Sequence, residues 1–317
     1  MTSPLRPLQL GTRGSALAMV QARDVARRLE AAGHAVEIVV QSTSGDRDKQ
    51  SPFAAVGAPG IFVREIEQSL LDGEIDLAVH CYKDLPSDSP AGLVIAAVPP
   101  REDPADVLVT RIECHDGDQP SLHLKRCAIV GTSAARRQAL IKSHRPDVIC
   151  RELRGNVPTR LKKLRDGEYD AILLAAAGIN RLAEGAERGE NEALDFTGLT
   201  QDVLCLEAFV PAPSQGALAL QVREGDDRAA AAAGLLHDPE TLRAVTAERE
   251  LLALVQAGCE APFGAFCRKL AGDDDRALEL FAVFEKDGVV LRSRSTGHNP
   301  KLLASEAYEG LGLTAKG

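Results

Sequence analysis

No apolar run in this sequence approaches the roughly 20 residues that a membrane-spanning helix requires. The longest uncharged apolar stretches, such as residues 171–179, fall short by half. The N-terminal MTSPLRPLQL also lacks the apolar core of a secretory leader, because Arg6 and Gln9 interrupt it. A cytoplasmic enzyme is the expectation. The cysteines, at 81, 114, 127, 150, 205, 259 and 267, are odd in number, include no CxxC pair and come without clustered histidines. Neither a disulfide framework nor a metal site is therefore expected. A basic excess is missing as well: 37 Lys and Arg against 46 Asp and Glu leave a net charge of −9. That disfavours nonspecific nucleic-acid binding, which needs a cationic surface to displace counterions. No Walker loop, GxGxxG turn or GxSxG elbow occurs, which removes the commonest phosphate-binding and hydrolase readings.

What is present is globular. With 44% hydrophobic and 26% charged residues over 317 positions, the chain folds and is long enough for two or three domains. Its cations comprise 27 Arg and only 10 Lys, and the guanidinium fork grips carboxylates at two points. A GC-rich genome produces the same ratio, so the positions of the arginines decide whether an anionic substrate is indicated.

Short β-rich runs alternate with amphipathic helical segments through the first two thirds, the pattern of an α/β protein with mainly parallel strands. After a strand at 8–11, Ser15 is placed to cap a helix through Leu17, Val25 and Leu29 that Gly33 ends, and a strand follows at Val36–Gln41. A helix with Phe62, Ile66 and Leu70 four apart leads into a strand at 75–81. An internal repeat then appears. Gly11-Thr12 at one strand-to-helix turn recurs as Gly131-Thr132, and Asp72-Gly73-Glu74-Ile75-Asp76 recurs as Asp166-Gly167-Glu168-Tyr169-Asp170. Two similar α/β domains are expected, bracketed by hinge-like breaks at Pro99-Pro100…Pro104 and Pro211-Ala212-Pro213. A smaller α+β domain closes the chain, with a helix at 239–254, strands at 278–284 and 289–294, and a last helix near 301–308. The expected division is 1–103 with 217–236, then 104–216, then 237–317.

The basic residues Arg13, Lys83, Arg101, Arg136-Arg137, Arg154, Arg160 and Arg181 stand at turns rather than along solvated helix faces. In open α/β sheets ligands bind outside the carboxyl ends of the strands, where helix N-termini add partial positive charge. A polycarboxylate would find several forks there. Asp84, beside Lys83, is one carboxylate among these cations and could stabilise a developing cation or orient an N–H donor; a plain Lys–Asp ion pair is the alternative. Cys259, flanked by Gly258 in the loop 257–262, has an accessible sulfur, whereas Cys127, Cys150 and Cys205 lie in strand-like apolar runs.

Taken in order, Gly11-Thr12-Arg13-Gly14-Ser15, Gly60-Ile61-Phe62-Val63-Arg64-Glu65, Ala78-Val79-His80…Lys83-Asp84-Leu85-Pro86, Arg101-Glu102-Asp103-Pro104, Val130-Gly131-Thr132-Ser133…Arg136-Arg137-Gln138, Leu153-Arg154-Gly155-Asn156-Val157…Thr159-Arg160-Leu161, Gln215-Gly216-Ala217 and Gly258-Cys259 are similar to the porphobilinogen deaminase (hydroxymethylbilane synthase) family across nearly the whole chain. The resemblance implies three domains, the first two like lobes of type II periplasmic binding proteins, and a dipyrromethane cofactor joined by a thioether to Cys259. It implies condensation of four porphobilinogen molecules head to tail, with release of ammonia, into hydroxymethylbilane for haem biosynthesis. Arg13, Lys83, Arg136, Arg137, Arg154, Arg160 and Arg181 become clamps on acetate and propionate groups. Ser15, Thr132, Ser133, Asn156 and Gln215 join them as substrate- or cofactor-binding residues, and Asp84 becomes the catalytic carboxylate. Arg101 is expected to stabilise the domain junction instead. A monomer that hands its product to the next enzyme is implied as well.

Three departures from the family pattern stand out. Pro59 occupies a loop position usually held by lysine, Ser133-Ala134 replaces a serine pair, and Cys81-Tyr82 replaces Ser-Met before Lys83. The competing class is a noncatalytic two-lobed receptor for a small polycarboxylate; a thiol in a third domain and the lack of an export signal speak against it.

Overall fold

Within the computed structural model, residues 6–41, 63–255, 261–272 and 276–313 are described. The chain begins with β1 (Leu8–Arg13), α1 (Ala16–Ala31), β2 (Val36–Gln41), α2 (Arg64–Leu71), β3 (Leu77–Cys81) and β4 (Leu93–Ala97). It continues through β5 (Asp106–Arg111), β6 (Ile129–Gly131), α3 (Ala135–His144), β7 (Ile149–Arg151), α4 (Val157–Arg165), β8 (Ala171–Ala175), α5 (Ala176–Glu187) and β9 (Leu199–Val203). Last come β10 (Leu218–Arg223), α6 (Asp227–Gly234), α7 (Pro239–Val255), β11 (Phe263–Lys269), β12 (Leu278–Lys286), β13 (Val289–Gly297) and α8 (Pro300–Gly310).

Local chemistry explains the first elements. The Ser15 hydroxyl accepts from the Ala18 N–H at 3.4 Å and opens α1, while Gly33, at φ 92°, turns the chain out of it. Val25 and Leu29 of α1 then bury against Leu8, Leu10 and Leu77 on the sheet. Four-residue spacing likewise buries Ile66 and Leu70 of α2 with Ile75 and Leu93.

Two compact units result. The first comprises Met1–Arg101, Glu184–Glu192 and Ala217–Leu242, the second Glu102–Ala183, Ala193–Gly216 and Arg243–Gly317. Two boundaries, 101/102 and 216/217, fall in or beside the proline-rich segments. Residues 184–192 stay with the first unit because Glu190 holds both Arg23, through its carbonyl at 2.9 Å, and Arg27, through its carboxylate. The sheet of the first unit runs β2-β1-β3-β10-β4, and that of the second β7-β6-β8-β5-β9. In each, the first three strands are parallel and the fourth alone runs against its neighbours. The sequence repeat is thus a repeat of architecture.

Matched residues do matched work in the two sheets. A Cβ on Gly11 would lie 2.3 Å from the Ile75 side chain, and one on Gly131 would lie 2.8 Å from the Tyr169 ring. Ile75 and Tyr169 are counterparts in the second repeated motif. Each glycine therefore leaves room for the residue that precedes the neighbouring parallel strand. The aspartate that follows closes the same joint: Asp76 accepts from the Gln9 N–H at 3.0 Å, and Asp170 from the Ile129 N–H at 2.8 Å. Their own amides donate back to the Gln9 and Ile129 carbonyls, both at 2.9 Å.

Within the second unit, β11-β12-β13 form an antiparallel meander whose inner face packs on α7 and α8 through Leu251, Phe263, Leu280, Leu303 and Ala307. Its other face sends Phe266, Phe281 and Val283 into a core shared with Leu140 and Ile141 of α3. Buried Glu248 of α7 accepts from the Ser214 and Cys267 backbones at 2.6 and 2.7 Å. Of the three cysteines read as lying in strands, Cys150 is in β7. Cys127 and Cys205 are exposed in irregular segments, and the φ of 57° at Cys127 bends the chain just before β6. Among the described residues no helix is long and apolar enough to cross a membrane.

The ring of Tyr169 cannot swing aside, because its hydroxyl donates to the Glu152 carbonyl at 2.6 Å. Ile75, by contrast, meets the Gly11 position with a flexible terminal methyl. Gly131→Ala is accordingly expected to lose about 1–3 kcal/mol and Gly11→Ala less, as read by urea unfolding; a Gly131→Ala protein as stable as wild type would contradict this packing.

Candidate active site

At the carboxyl ends of adjacent parallel strands, the first unit collects Arg13 at the end of β1, Ser15 just after it, and Lys83 and Asp84 after β3. Lys83 and Asp84 sit in a one-turn 3-10 segment, Tyr82–Asp84, whose Tyr82 side chain is buried and whose Tyr82 N–H donates to the Ala217 carbonyl at 3.0 Å. Cys81 lies 3.2 Å from the amide nitrogen of Gln21 on α1. Asp84 is exposed, and no ion pair or hydrogen bond to its carboxylate occurs among the described residues. The Ser15 hydroxyl is engaged as the α1 cap.

In the second unit, the turn after β6 and the turn after β7 are bound to each other. The Thr132 N–H donates to the Arg151 carbonyl at 2.8 Å, and the Ser133 hydroxyl both donates to the Leu153 carbonyl at 2.8 Å and accepts its N–H at 3.1 Å. Thr132 Oγ1 accepts from Ala134 at 3.3 Å; at Ala134 itself α3 starts with no side-chain cap. Asn156 caps α4 by accepting from Thr159 N–H and Oγ1 at 3.0 and 2.7 Å. These polar side chains, singled out as ligand-binding, form the frame on which the arginines stand.

Arg136 and Arg137 occupy the first turn of α3, where like charge and the positive helix end both oppose them. Buried Asp106 answers that field. Its Oδ2 accepts from Arg136 Nη1 at 2.7 Å, and its Oδ1 from Arg137 Nη2 and Nε at 2.7 and 3.1 Å. Gln215 adds a third donor to Oδ1 at 3.0 Å and holds the Pro104 carbonyl at 2.7 Å. Arg136 Nη1 and Arg137 Nη1 also donate to the Val210 and Leu173 carbonyls, each at 2.8 Å. Burial pushes the Asp106 carboxyl up, but the two guanidiniums outweigh it and hold the group well below the usual carboxylate range. Burial pulls Arg136 down against the opposing pull of Asp106. Asp106 escaped the sequence reading because a lone acid opening an apolar strand resembles an exposed strand end. The adjacent Arg-Arg pair was the signal that a buried anion was needed.

Half-buried Arg160, on α4, completes the group. Its Nε donates to the Gly155 carbonyl at 2.7 Å, and no carboxylate pairs with it among the described residues. Burial, with the Arg137 cation beside it, pulls its guanidinium down to about 10. Arg160 thus adds a third positive charge beside a pair of guanidiniums that share one internal carboxylate, and a carboxylated ligand would relieve the excess. Arg154 donates to Glu152 at 2.8 Å, and Arg181, on α5, to the Gly216 carbonyl at 2.7 Å. The Arg101 N–H donates to Thr241 Oγ1 at 3.1 Å. Cys259 and Pro59 lie outside the described residues.

Residues 8–231 match the family described as "Porphobilinogen deaminase, dipyromethane cofactor binding domain". The chain belongs to the porphobilinogen deaminase family. It is 46% identical over 260 residues to the porphobilinogen deaminase of Syntrophotalea carbinolica, covering 81% of this chain and 77% of that one. With the Thermus thermophilus protein of the same name the identity is 43% over 281 residues, 88% of this chain and 85% of that one. The Lachnospira eligens porphobilinogen deaminase is 39% identical over 311 residues, 96% of this chain and 99% of that one. Among solved structures, an arginine-specific periplasmic binding protein of Salmonella typhimurium aligns with 75% of this chain and 97% of its own at 13% identity, TM-score 0.39; the fold assignment stands on the two sheets themselves.

The porphobilinogen deaminase family places this chain among the transferases of tetrapyrrole biosynthesis, with a dipyrromethane-binding domain. Its donor set fits such a group: Arg160 lacks an anion, and Arg136 Nε and Nη2 have no hydrogen-bond partner among the described residues.

Asp106→Asn removes the one negative charge between two buried cations. It is expected to lose about 3–5 kcal/mol of unfolding free energy. Because the folded-state carboxyl is depressed, its contribution is present above the unfolded value near pH 4 and is lost as pH falls below that toward the folded value. The deficit of Asp106→Asn should thus be full at pH 7 and shrink below pH 4; a variant within about 1 kcal/mol of wild type at pH 7 would contradict the pairing.

Proposed function

We propose that this chain releases ammonia from four porphobilinogen molecules in turn and joins them head to tail into hydroxymethylbilane, on a dipyrromethane carried by Cys259. The observation that supports this reading most directly is the uncompensated Arg160, beside two arginines already oriented by Asp106. Guanidinium has five N–H donors, so Arg136 and Arg137 can add a ligand carboxylate without releasing Asp106. In the second unit Arg136, Arg137, Arg154, Arg160 and Arg181 bind acetate and propionate groups, and in the first unit Arg13 and Lys83 do. Asp106 and Gln215 are positioning residues: they fix the forks before any ligand arrives. Ser15, Thr132, Ser133, Asn156 and Gln215 join the arginines as substrate- or cofactor-binding residues, while also holding the turns they stand on.

When bound, the dipyrromethane supplies the pyrrole carbon to which the first substrate unit is joined. The chain's own contribution to the chemistry centres on Asp84. As the aminomethyl nitrogen departs, positive charge spreads into the substrate pyrrole, and an exposed carboxylate at its N–H stabilises that charge where it develops. Desolvation of the carboxylate by the bound substrate strengthens the interaction.

Residues 237–317 form a third domain that carries Cys259, supported by their own sheet and their core of Leu251, Leu280 and Leu303. Arg101 steadies the domain junction. The protein works as a cytoplasmic monomer and passes its product to the next enzyme. A noncatalytic polycarboxylate receptor would use the same arginines, but family membership favours the enzyme.

Intact-mass measurement tests the reading: the purified chain should be heavier than its sequence by one dipyrromethane, and Cys259→Ser should lose the added mass together with activity. An active chain at its bare sequence mass would overturn it. Asp84→Asn should keep the added mass yet lower turnover at least about 100-fold, the scale of one preorganised stabilising group. Near-normal turnover would show that Asp84 does not act on the developing charge.

A further inference from the structure

Between β5 and β6 the chain makes an excursion that the proposed chemistry does not use. A 3-10 turn, Ile112–Cys114, leads to His115, and the segment doubles back so that His115 bridges Leu124 and the Asp116 N–H donates to the His123 carbonyl at 2.9 Å. Leu122 and Leu124 on either side of His123 are buried in the core beneath α3, so the imidazole is carried on an anchored segment. Asp202 arrives from β9, the edge strand of the sheet, opposite Leu108 of β5. Sequence separations of 8 and 79 residues thus end in one place.

The two imidazoles bracket the carboxylate. His115 Nε2 lies 3.5 Å from Asp202 Oδ2, and His123 Nδ1 lies 3.6 Å from Asp202 Oδ1. One ligand atom from each of the three residues falls within 4.8 Å of the others. The rings meet edge to face, with centroids 5.7 Å apart. Both His–Asp separations exceed a hydrogen bond, whose length would be about 2.7–3.2 Å. Each, one imidazole against each oxygen of the carboxylate, matches the spacing of about 3.4 Å between two ligands that hold one ion tetrahedrally at 2.0–2.2 Å. Oδ2 of Asp202 is also shut off from solvent with no hydrogen-bond partner among the described residues, an acceptor that a bound cation would satisfy. Neighbouring groups are engaged elsewhere: Asp116 accepts from the Asp118 N–H and Gln119 within its own turn, and the Cys114 thiol lies 3.3 Å from Asp170.

We propose that His115, His123 and Asp202 form a binding site for one divalent transition-metal ion of the zinc class, clipping the 115–124 hairpin to the edge strand β9. Two imidazoles and one carboxylate, without thiolate, suit Zn2+, Co2+, Ni2+ or Cu2+ rather than Mg2+ or Ca2+. Three protein ligands leave a position for water. The half-exposed setting of all three side chains gives the ion a way in.

Co2+ is the discriminating probe, because thiolate ligation adds an intense sulfur-to-metal charge-transfer band that imidazole and carboxylate ligands do not. The full-length, metal-free protein, kept reduced, should bind one equivalent of Co2+ with a tetrahedral d–d spectrum and no such band. Zn2+ should displace it and raise Tm by about 5 °C at 100-fold excess over Kd. His115→Ala, His123→Ala and Asp202→Asn should each weaken binding at least about 10-fold and abolish the Zn2+ shift in Tm. His123→Gln, which keeps a polar side chain of similar reach, controls for a folding defect: it should melt like metal-free wild type yet fail to bind. Absence of a one-equivalent site in wild type, a thiolate band accompanying it, or unchanged affinity in the variants would each overturn the proposal.

Discussion

Two arginines side by side in the first turn of a helix repel each other and the helix's positive end, and α3 can begin that way only because Asp106 lies beneath them. Burying a carboxylate costs several kcal/mol unless cations and hydrogen bonds surround it. Here four N–H donors from three side chains do so. Because each partner fails without the others, the arrangement fixes several elements at once: the start of β5, the start of α3, and the 210–216 segment through Gln215 and the Val210 carbonyl. The same contacts set the direction of both guanidiniums before any ligand arrives, the condition for electrostatic stabilisation without reorganisation.

Charge balance then separates scaffold from function. Asp106 compensates one positive charge, while Arg136, Arg137 and Arg160 bring three. The strain of that surplus is borne by Arg160, whose proton affinity is lowered by burial and by Arg137. Folding alone gives no reason to keep such a group; an anionic ligand does. Polar residues of the two neighbouring turns, such as Ser133 and Asn156, are hydrogen-bonded to backbone and hold those turns beside the arginines.

Much of this architecture was legible from sequence. The Ser15 cap, the β2 strand and the Gly-Thr repeat are local signals, and the repeat proved to encode a shared joint in which a glycine admits Ile75 or Tyr169 and an aspartate locks the strand. What stayed hidden was non-local. Asp106 reads as a strand end until the fold sets it under α3, where Arg136 lies 30 residues away in sequence. His115 and His123 follow no ligand spacing, and Asp202 joins them only because β9 pairs with β5. Cys127 and Cys205 looked like strand residues because their neighbours are apolar, yet a positive φ at Cys127 keeps the chain from extending there.

The central claim is that Asp106 stays ionised inside the folded protein as the counter-charge to Arg136 and Arg137. Carbon-13 NMR of the aspartate side-chain carboxyls, followed from pH 7 to pH 3 and with the Asp106 resonance assigned by its loss in Asp106→Asn, tests it most directly. The account predicts a carboxyl that keeps its ionised shift for as long as the protein remains folded. A midpoint near the ordinary aspartate value of about 3.9 in the folded state would contradict it.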